Sequence, residues 1–521
     1  MHRPDELTVE QKLGRVLCMR ATDNPDNYAF TLEMVRRRAV GCVQVPINER
    51  SAAVIAELRA EADYPLLIYN DMERGFPPAE LPPVSLLALA ACTDTDYARA
   101  FAAGVAHHAR RVGYSGCWGP VLDILFRDAP CTVSRCAGDS PEAVYKVARE
   151  INATFAEYGF FGTGKHYPGG QDMPLDTHMV EGVSQADEEF LREVALRPYL
   201  SLMQDGLLTG IMTAHTRYPK IDPEHPASLS KKVISLIRDA GYDGLIFTDS
   251  LAMMGILQRY GEEGAMALAL EAGNDIILPN YRTPMRNVYE MMLSAYRAGK
   301  ISDARLDEAV RHVMEAEERW AQMSQITAPV PENLSQTLQN VARDAITAVC
   351  ADGVSPAIDP KQKRLFVVMT EQGYAPDAPN DEIGERAWYS PRRVSEAIRA
   401  NFEDAEILTL REFPTAQENE RVLNAATQYS EVVFITYCNT APYLGTDGLT
   451  RRAESVIHAL AMSGKLVALV HFGNPLAISG FDEIPRRLLG YVAPDAQRYA
   501  LEVLAGRLPA KGRLPISCLF K

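Results

Sequence analysis

Along the first 320 residues, short apolar runs alternate with longer amphipathic ones, and this rhythm limits the fold more than any other property of the chain. Apolar runs lie at 39–46, 65–70, 116–124, 159–167, 207–214, 244–248 and 275–278. Each is of strand length and is bounded by Gly, Pro or a charged residue, as buried strands are. Between and after them, the segments 51–63, 94–112, 141–158, 186–205, 230–239, 261–272, 285–298 and 304–320 carry apolar residues at helical spacing. The segment 8–19 also reads as a helix, with Leu13, Val16 and Leu17 on one side. Repeated strand–helix units of this length indicate parallel strands, closed or nearly closed as a barrel.

The rhythm breaks at 325–333, where Pro329 and Pro331 prevent a helix from continuing. It then restarts, with strand patterns at 365–369, 407–410, 432–437, 466–471 and 488–492. The expected architecture is therefore α/β throughout. A TIM-type (β/α) barrel spans 1–324, a linker 325–340, and a smaller open α/β sandwich, doubly wound, spans 341–521. No G-x-G-x-x-G follows the first strand of the second domain, which argues against dinucleotide binding.

Composition narrows the partners. The chain is 47% hydrophobic and 23% charged, as soluble globular proteins are. A formal net charge of −15 argues against nucleic acid or an anionic membrane surface as partner. The nine cysteines are scattered without C-x-x-C spacing, and the first residues lack an apolar signal-peptide core. Both point to a reducing cytoplasm, with the cysteines acting as small buried hydrophobes. No run of about 18 apolar residues suggests a transmembrane helix.

Charged residues recur just past the C-terminal ends of the strand patterns: Asp71, Asp123, Lys165 with His166, His215 and Asp249. In a barrel of parallel strands these ends converge on one face, where active sites lie. The richest of these segments runs from Gly162 to His178 and holds two histidines, a lysine and two aspartates among glycines and prolines. Such a loop cannot be core, and it is expected to rearrange when ligand binds.

The residue types suggest roles. Asp249, at a strand end, suits a nucleophile, a metal ligand or a helix cap. Asp176 and His178 are two apart, so in extended backbone their side chains share a side. The carboxylate can then fix the imidazole tautomer, leaving the other ring nitrogen to give and take a proton. Lys165, His166 and Arg135 offer donors, while Asp71 and Asp123 offer acceptors, and such alternation is how a sugar ring is held. No H-E-x-x-H or equivalent spacing appears, so neither a metal nor another cofactor is expected.

In their order, several short motifs are together specific. They are Gly119-Pro120-Val121-Leu122-Asp123-Ile124, Lys165-His166-Tyr167-Pro168-Gly169 with Asp176-Thr177-His178, Met212-Thr213-Ala214-His215 with Tyr218-Pro219 and Leu229-Ser230, and Phe247-Thr248-Asp249-Ser250-Leu251. Through them the chain resembles glycoside hydrolase family 3 across nearly its whole length, and within it the β-N-acetylglucosaminidase branch. The resemblance implies Asp249 as the nucleophile of a covalent, retaining mechanism, with Asp176 and His178 as the acid/base dyad. It implies substrate contacts from Asp71, Arg135, Lys165 and His166.

Two departures stand out. Gly169-Gly170-Gln171-Asp172 lacks the family's loop histidine, and Asp71-Met72-Glu73-Arg74-Gly75 replaces Asp-Gln-Glu-Gly-Gly-Arg. The activity implied is exo-β-N-acetylglucosaminidase on cell-wall fragments or chitooligosaccharides, a small carbohydrate substrate. A phosphorylase using the same site and a non-catalytic sugar-binding protein are the competing readings. For the second domain three roles stay open: covering the site, forming a homodimer, or stabilising the barrel.

Overall fold

The computed structural model describes residues 4–21, 24–77, 81, 83–126, 135–169, 175–373, 388–438, 440 and 448–517. The chain divides into two compact units. The first comprises residues 1–81, 98–124 and 140–332; the second comprises 82–97, 125–139 and 333–521. Two stretches from within the first 324 residues thus belong to the second unit. The helix Leu334–Asp344 occupies the end of the segment read as a linker.

In the first unit, seven parallel strands form one sheet in the order β1 (Cys18–Arg20), β2 (Cys42–Gln44), β3 (Leu67–Asp71), β4 (Gly116–Trp118), β5 (Phe161–Tyr167), β7 (Gly210–Thr213) and β9 (Leu245–Thr248). A separate pair joins β6 (Gly182–Val183) to β8 (Thr216–Arg217). The sheet closes through the extended segment 276–278. On one side Thr248 N–H donates to the Ile276 carbonyl at 3.0 Å; on the other, Cys18 N–H donates to the Ile277 carbonyl at 2.9 Å. Segment 276–278 is therefore the eighth stave of a TIM-type barrel, as the alternation predicts.

Alternate residues of the strands fill the barrel. Cys18, Cys42, Leu67, Tyr69, Trp118, Phe161, Met212, Leu245, Phe247, Ile276 and Leu278 form one buried cluster. Tyr69 stacks on Trp118 and leans on Phe247, with ring centres 6.1 and 5.4 Å apart. Each large side chain buried this way contributes about 1.5–3 kcal/mol. The Cys18 and Cys42 sulfurs lie 3.8 Å apart as free thiols. Of the described cysteines, only Cys350 is not buried.

The first helix is shorter than predicted. It runs from Val9 to Arg15, opened by a capping box in which Thr8 and Gln11 bond each other's backbone N–H. At Gly14 the helix presses on Ala39, whose carbonyl oxygen would lie 2.2 Å from any Cβ. The residues read as the helix's last turn are instead β1, whose three residues are too few to display a period of two.

The second unit holds a six-stranded sheet. Its order is β10 (Thr347–Cys350), β15 (Arg486–Tyr491), β14 (Leu466–Gly473), β13 (Val432–Cys438), β11 (Arg364–Thr370) and β12 (Ala405–Arg411). All neighbours are parallel except β10 and β15. From β11 the chain moves outward to β12, then crosses to β13 on the other side. That reversal makes the sheet doubly wound, because right-handed crossovers in opposite directions use opposite faces. The antiparallel edge strand β10 was not expected, since it stands outside the strand–helix rhythm.

Candidate active site

Six of the seven predicted site residues lie in the first unit: Asp71, Lys165, His166 and Asp249 at the C-terminal ends of its strands, and Asp176 and His178 in the loop between β5 and β6. Arg135 belongs to the stretch 125–139 of the second unit. The loop positions Gly170 and Gln171, where the family histidine is missing, lie outside the described residues.

Asp249 follows β9 directly, and its side chain is 21% exposed. Its N–H donates to the Thr213 carbonyl at 3.0 Å, and its Oδ1 accepts from Ser250 N–H at 2.6 Å. Burial pushes the Asp249 carboxyl up, but His166, His215, His178 and the Ser250 N–H together outweigh it and hold the group below the usual carboxylate range. An ionised carboxylate at a strand end, ringed by imidazoles, has the charge a nucleophile needs.

The end of β5 delivers two adjacent side chains to the same site. The β5–β7 ladder pairs Lys165 with Met212 and Tyr167 with Thr213, skipping His166. Such an irregularity re-aims a side chain that regular pleating would turn to the other face. The segment also needs small residues: at Gly164 an added Cβ would lie 2.5 Å from Leu122 Cδ1. Lys165 is buried, and its ammonium is held at 2.6 Å by both Asp71 and Glu73. Two carboxylates around one ammonium compensate its desolvation and fix its position.

His166 is gripped by a fully buried carboxylate. Asp123 Oδ1 accepts from the His166 backbone N–H at 3.2 Å, and Oδ2 lies 2.7 Å from Nδ1. A carboxylate that only accepts places the ring proton on Nδ1. Nε2 then faces Asp249 Oδ2 at 3.8 Å, beyond hydrogen-bond range.

The Asp176–His178 pair repeats this arrangement. Asp176 Oδ1 lies 2.7 Å from His178 Nδ1 and accepts from the His178 N–H at 2.9 Å. Asp176 is buried while His178 remains 24% exposed, so Nε2 is the accessible nitrogen. The loop that bears them is seated on the helix Met254–Tyr260, just after Asp249. The His178 carbonyl accepts from Met254 N–H at 3.1 Å, and Val180 packs so closely that a Cβ on Gly255 would lie 2.6 Å from its oxygen. Glu181 then pairs with Arg217 at 3.0 Å and Arg259 at 2.9 Å. The described half of the loop is thus tied down on the nucleophile's own turn.

Three residues gain roles that spacing alone did not assign. Glu73 completes the cradle of Lys165; its signal was an acidic residue two positions past a strand-end aspartate. Asp123, read only as an acceptor, orients His166. His215 Nε2 lies 3.0 Å from the Ser250 carbonyl and Nδ1 2.8 Å from Ser228 Oγ. The carbonyl only accepts, so Nε2 carries the proton and the neutral ring clamps the turn after Asp249. Burial lowers the His215 pKa, against the pull of Asp249. Among the described residues no group of three or more His, Cys, Asp or Glu side chains is placed to hold a metal ion.

Comparison with known proteins bears on the family and the fold. The model of the glycosyl hydrolase family 3 N-terminal domain matches residues 8–316. A β-hexosaminidase of Idiomarina loihiensis is 32% identical over 243 residues, covering 44% of this chain and 72% of its own. A β-N-acetylglucosaminidase/β-glucosidase of Cellulomonas fimi is 26% identical over 401 residues, covering 71% of this chain and 70% of its own. The fold also matches the structure of a family 3 β-N-acetylglucosaminidase from Paenibacillus sp. str. FPU-7, with a TM-score of 0.78 at 24% identity over 98% of this chain and 99% of that one. A match over more than half the chain, in a barrel with charged groups gathered at the C-terminal strand ends, places this chain in glycosyl hydrolase family 3.

Proposed function

We propose that the chain is a retaining, exo-acting β-N-acetylglucosaminidase for small N-acetylglucosaminides, such as cell-wall fragments or chitooligosaccharides, working in the cytoplasm. The observation that carries this reading is the Asp176–His178 dyad, seated by backbone hydrogen bonding on the turn that follows Asp249. In the first step the Asp249 carboxylate attacks the anomeric carbon while His178 Nε2 gives its proton to the departing oxygen. The bond to the aglycone breaks and a glycosyl ester forms. In the second step water attacks that ester, His178 Nε2 takes the water's proton, and the Asp249 carboxylate leaves. The ring is neutral at the ester stage, and the imidazolium that donates in the first step and is regenerated in the second is stabilised by Asp176. Asp71, Lys165 and His166 are the groups assigned to the sugar hydroxyls.

The test is turnover of an aryl β-N-acetylglucosaminide, followed by NMR of the product before its anomers equilibrate. Release of the β anomer first is expected; the α anomer first sinks the retaining mechanism. The same incubation in phosphate buffer addresses the phosphorylase alternative. N-Acetylglucosamine 1-phosphate as the main product would replace hydrolysis by phosphorolysis at this site. Sugar binding without turnover would leave only a binding protein.

A further inference from the structure

The arc of the barrel mouth opposite Lys165 carries a cation that the mechanism above does not use. Arg20 ends β1 and lies two residues after Cys18, whose thiol sits in the barrel interior against Cys42. Pleating puts Arg20 on the same inward face, at the mouth. Its Nε is buried with no hydrogen-bond partner, and among the described residues its side chain forms no ion pair. The guanidinium lies over the Tyr281 ring, 5.2 Å from its centre. Arg282 lies over the same ring at 4.5 Å and likewise has no carboxylate partner among the described residues. The chain has 68 acidic against 53 basic residues, so two unpaired cations on one ring at the site's rim stand out. A partly buried guanidinium with unfilled donors is costly unless an acceptor arrives with the ligand.

We propose that Arg20, assisted by Arg282, binds a phosphoryl group carried on the C6 arm of the sugar. The enzyme would then prefer 6-phosphorylated N-acetylglucosaminides to neutral ones. This rests on the reading of Asp249 as nucleophile. Arg20 stands two strands from Asp249 across the closing segment 276–278, about 10 Å along the wall. An attacking phosphate would have to come within about 3–3.5 Å of the anomeric carbon. An oxyanion bonded to the Arg20 guanidinium suits a ring substituent better. On that reading the anomeric carbon lies at Asp249 and the ring hydroxyls are assigned to Asp71 and Lys165. C2 bears the neutral acetamido group, which leaves the C6 arm as the ring substituent that can carry the anion.

The experiment is equilibrium binding of N-acetylglucosamine, N-acetylglucosamine 6-phosphate and inorganic phosphate to the full chain. The sugar phosphate is expected to bind at least about tenfold more tightly than the neutral sugar, as charged hydrogen bonds allow. Arg20→Met should collapse that ratio toward one, Arg20→Lys should keep part of it, and Arg282→Met, on the exposed rim, should lower it. Equal affinities in the wild type overturn the proposal. So does inorganic phosphate binding as tightly as the sugar phosphate with the same dependence on Arg20, which would make this a free-ion site. Turnover of a neutral aryl glycoside by the wild type reports separately on the underlying reading.

Discussion

Of the three imidazoles that help to hold Asp249 ionised, His166 and His178 are the two with a carboxylate partner of their own. Each is bonded through Nδ1 to its own aspartate, so sequence motif and tautomer alone do not say which one moves the proton. Exposure separates them: His178 is 24% accessible, whereas His166 is 8% and turned toward the nucleophile. Asp249→Asn is therefore expected to lower kcat on the order of 10⁴-fold or more. His178→Ala should slow substrates with poor leaving groups by about 10²–10⁴ while barely touching activated phenols, which leave without a proton. His166→Ala should slow both alike. Steady-state rates across a series of aryl glycosides decide the matter, and equal slowing by His178→Ala would remove it as the acid. The positions of these residues were legible in the sequence because strand-end location and the Asp-x-His spacing are local. Arg20 was invisible for the opposite reason: it was read as lying just past a helix, and its inward aim follows only once β1 is known to be a strand.

Placement of the dyad is a property of elements. The loop at 175–183 is held by the Met254–Tyr260 helix, the β6–β8 pair and the Glu181 ion pairs, and Gly255 is the point of closest approach. Gly255→Ala should push the loop off the helix and reproduce the leaving-group dependence of His178→Ala without altering a catalytic atom. A uniform loss across leaving groups would mean that the packing serves stability alone. Barrel closure is likewise built from one short element. Asp275, just before segment 276–278, is fully buried and accepts from Ile246 N–H at 2.9 Å, Arg238 at 2.7 Å, Arg305 at 2.8 Å and His312 at 2.8 Å. Burial pushes its carboxyl up, but His312 and the two arginines win and hold it far below the usual range. Asp275→Ala leaves those buried cations uncompensated and should cost about 3–5 kcal/mol, read as a lowered urea midpoint. The longer strands β3, β5 and β9 were legible because four to seven residues are enough to show a pattern. The three-residue β1 and the antiparallel β10 were not, since tertiary pairing rather than local propensity makes them strands.

Across the whole molecule, acid should act on both units through buried groups of known sign. Asp275 and Asp249 in the first unit have folded pKa values below the ordinary carboxylate range, and the Arg411 pair lowers Glu418 in the second to about 2. Their stabilisation is present above about pH 4 and is lost as the pH falls below that value. Glu317, raised by burial to about 7, acts in the opposite sense and at higher pH. Overall midpoints therefore mix contributions, and a difference measurement isolates one group. His471 in β14 is 1% exposed, with Nδ1 2.8 Å from Thr436 Oγ1 and Nε2 2.6 Å from the Asn474 carbonyl. Burial lowers its pKa to about 4, against the Asn474 hydrogen bond, so the folded state holds it neutral where the unfolded chain would protonate it. Its contribution is present above about pH 6.5 and declines as the pH falls toward 4, by about 3 kcal/mol in all. In His471→Gln that titration is absent, while a side chain of similar length can still bond Thr436 or Asn474. The stability gap between wild type and His471→Gln, from urea unfolding of the full chain, should therefore be largest at pH 7 and shrink steadily to pH 4. A gap that stays constant over that range would show that His471 is not held neutral by the fold.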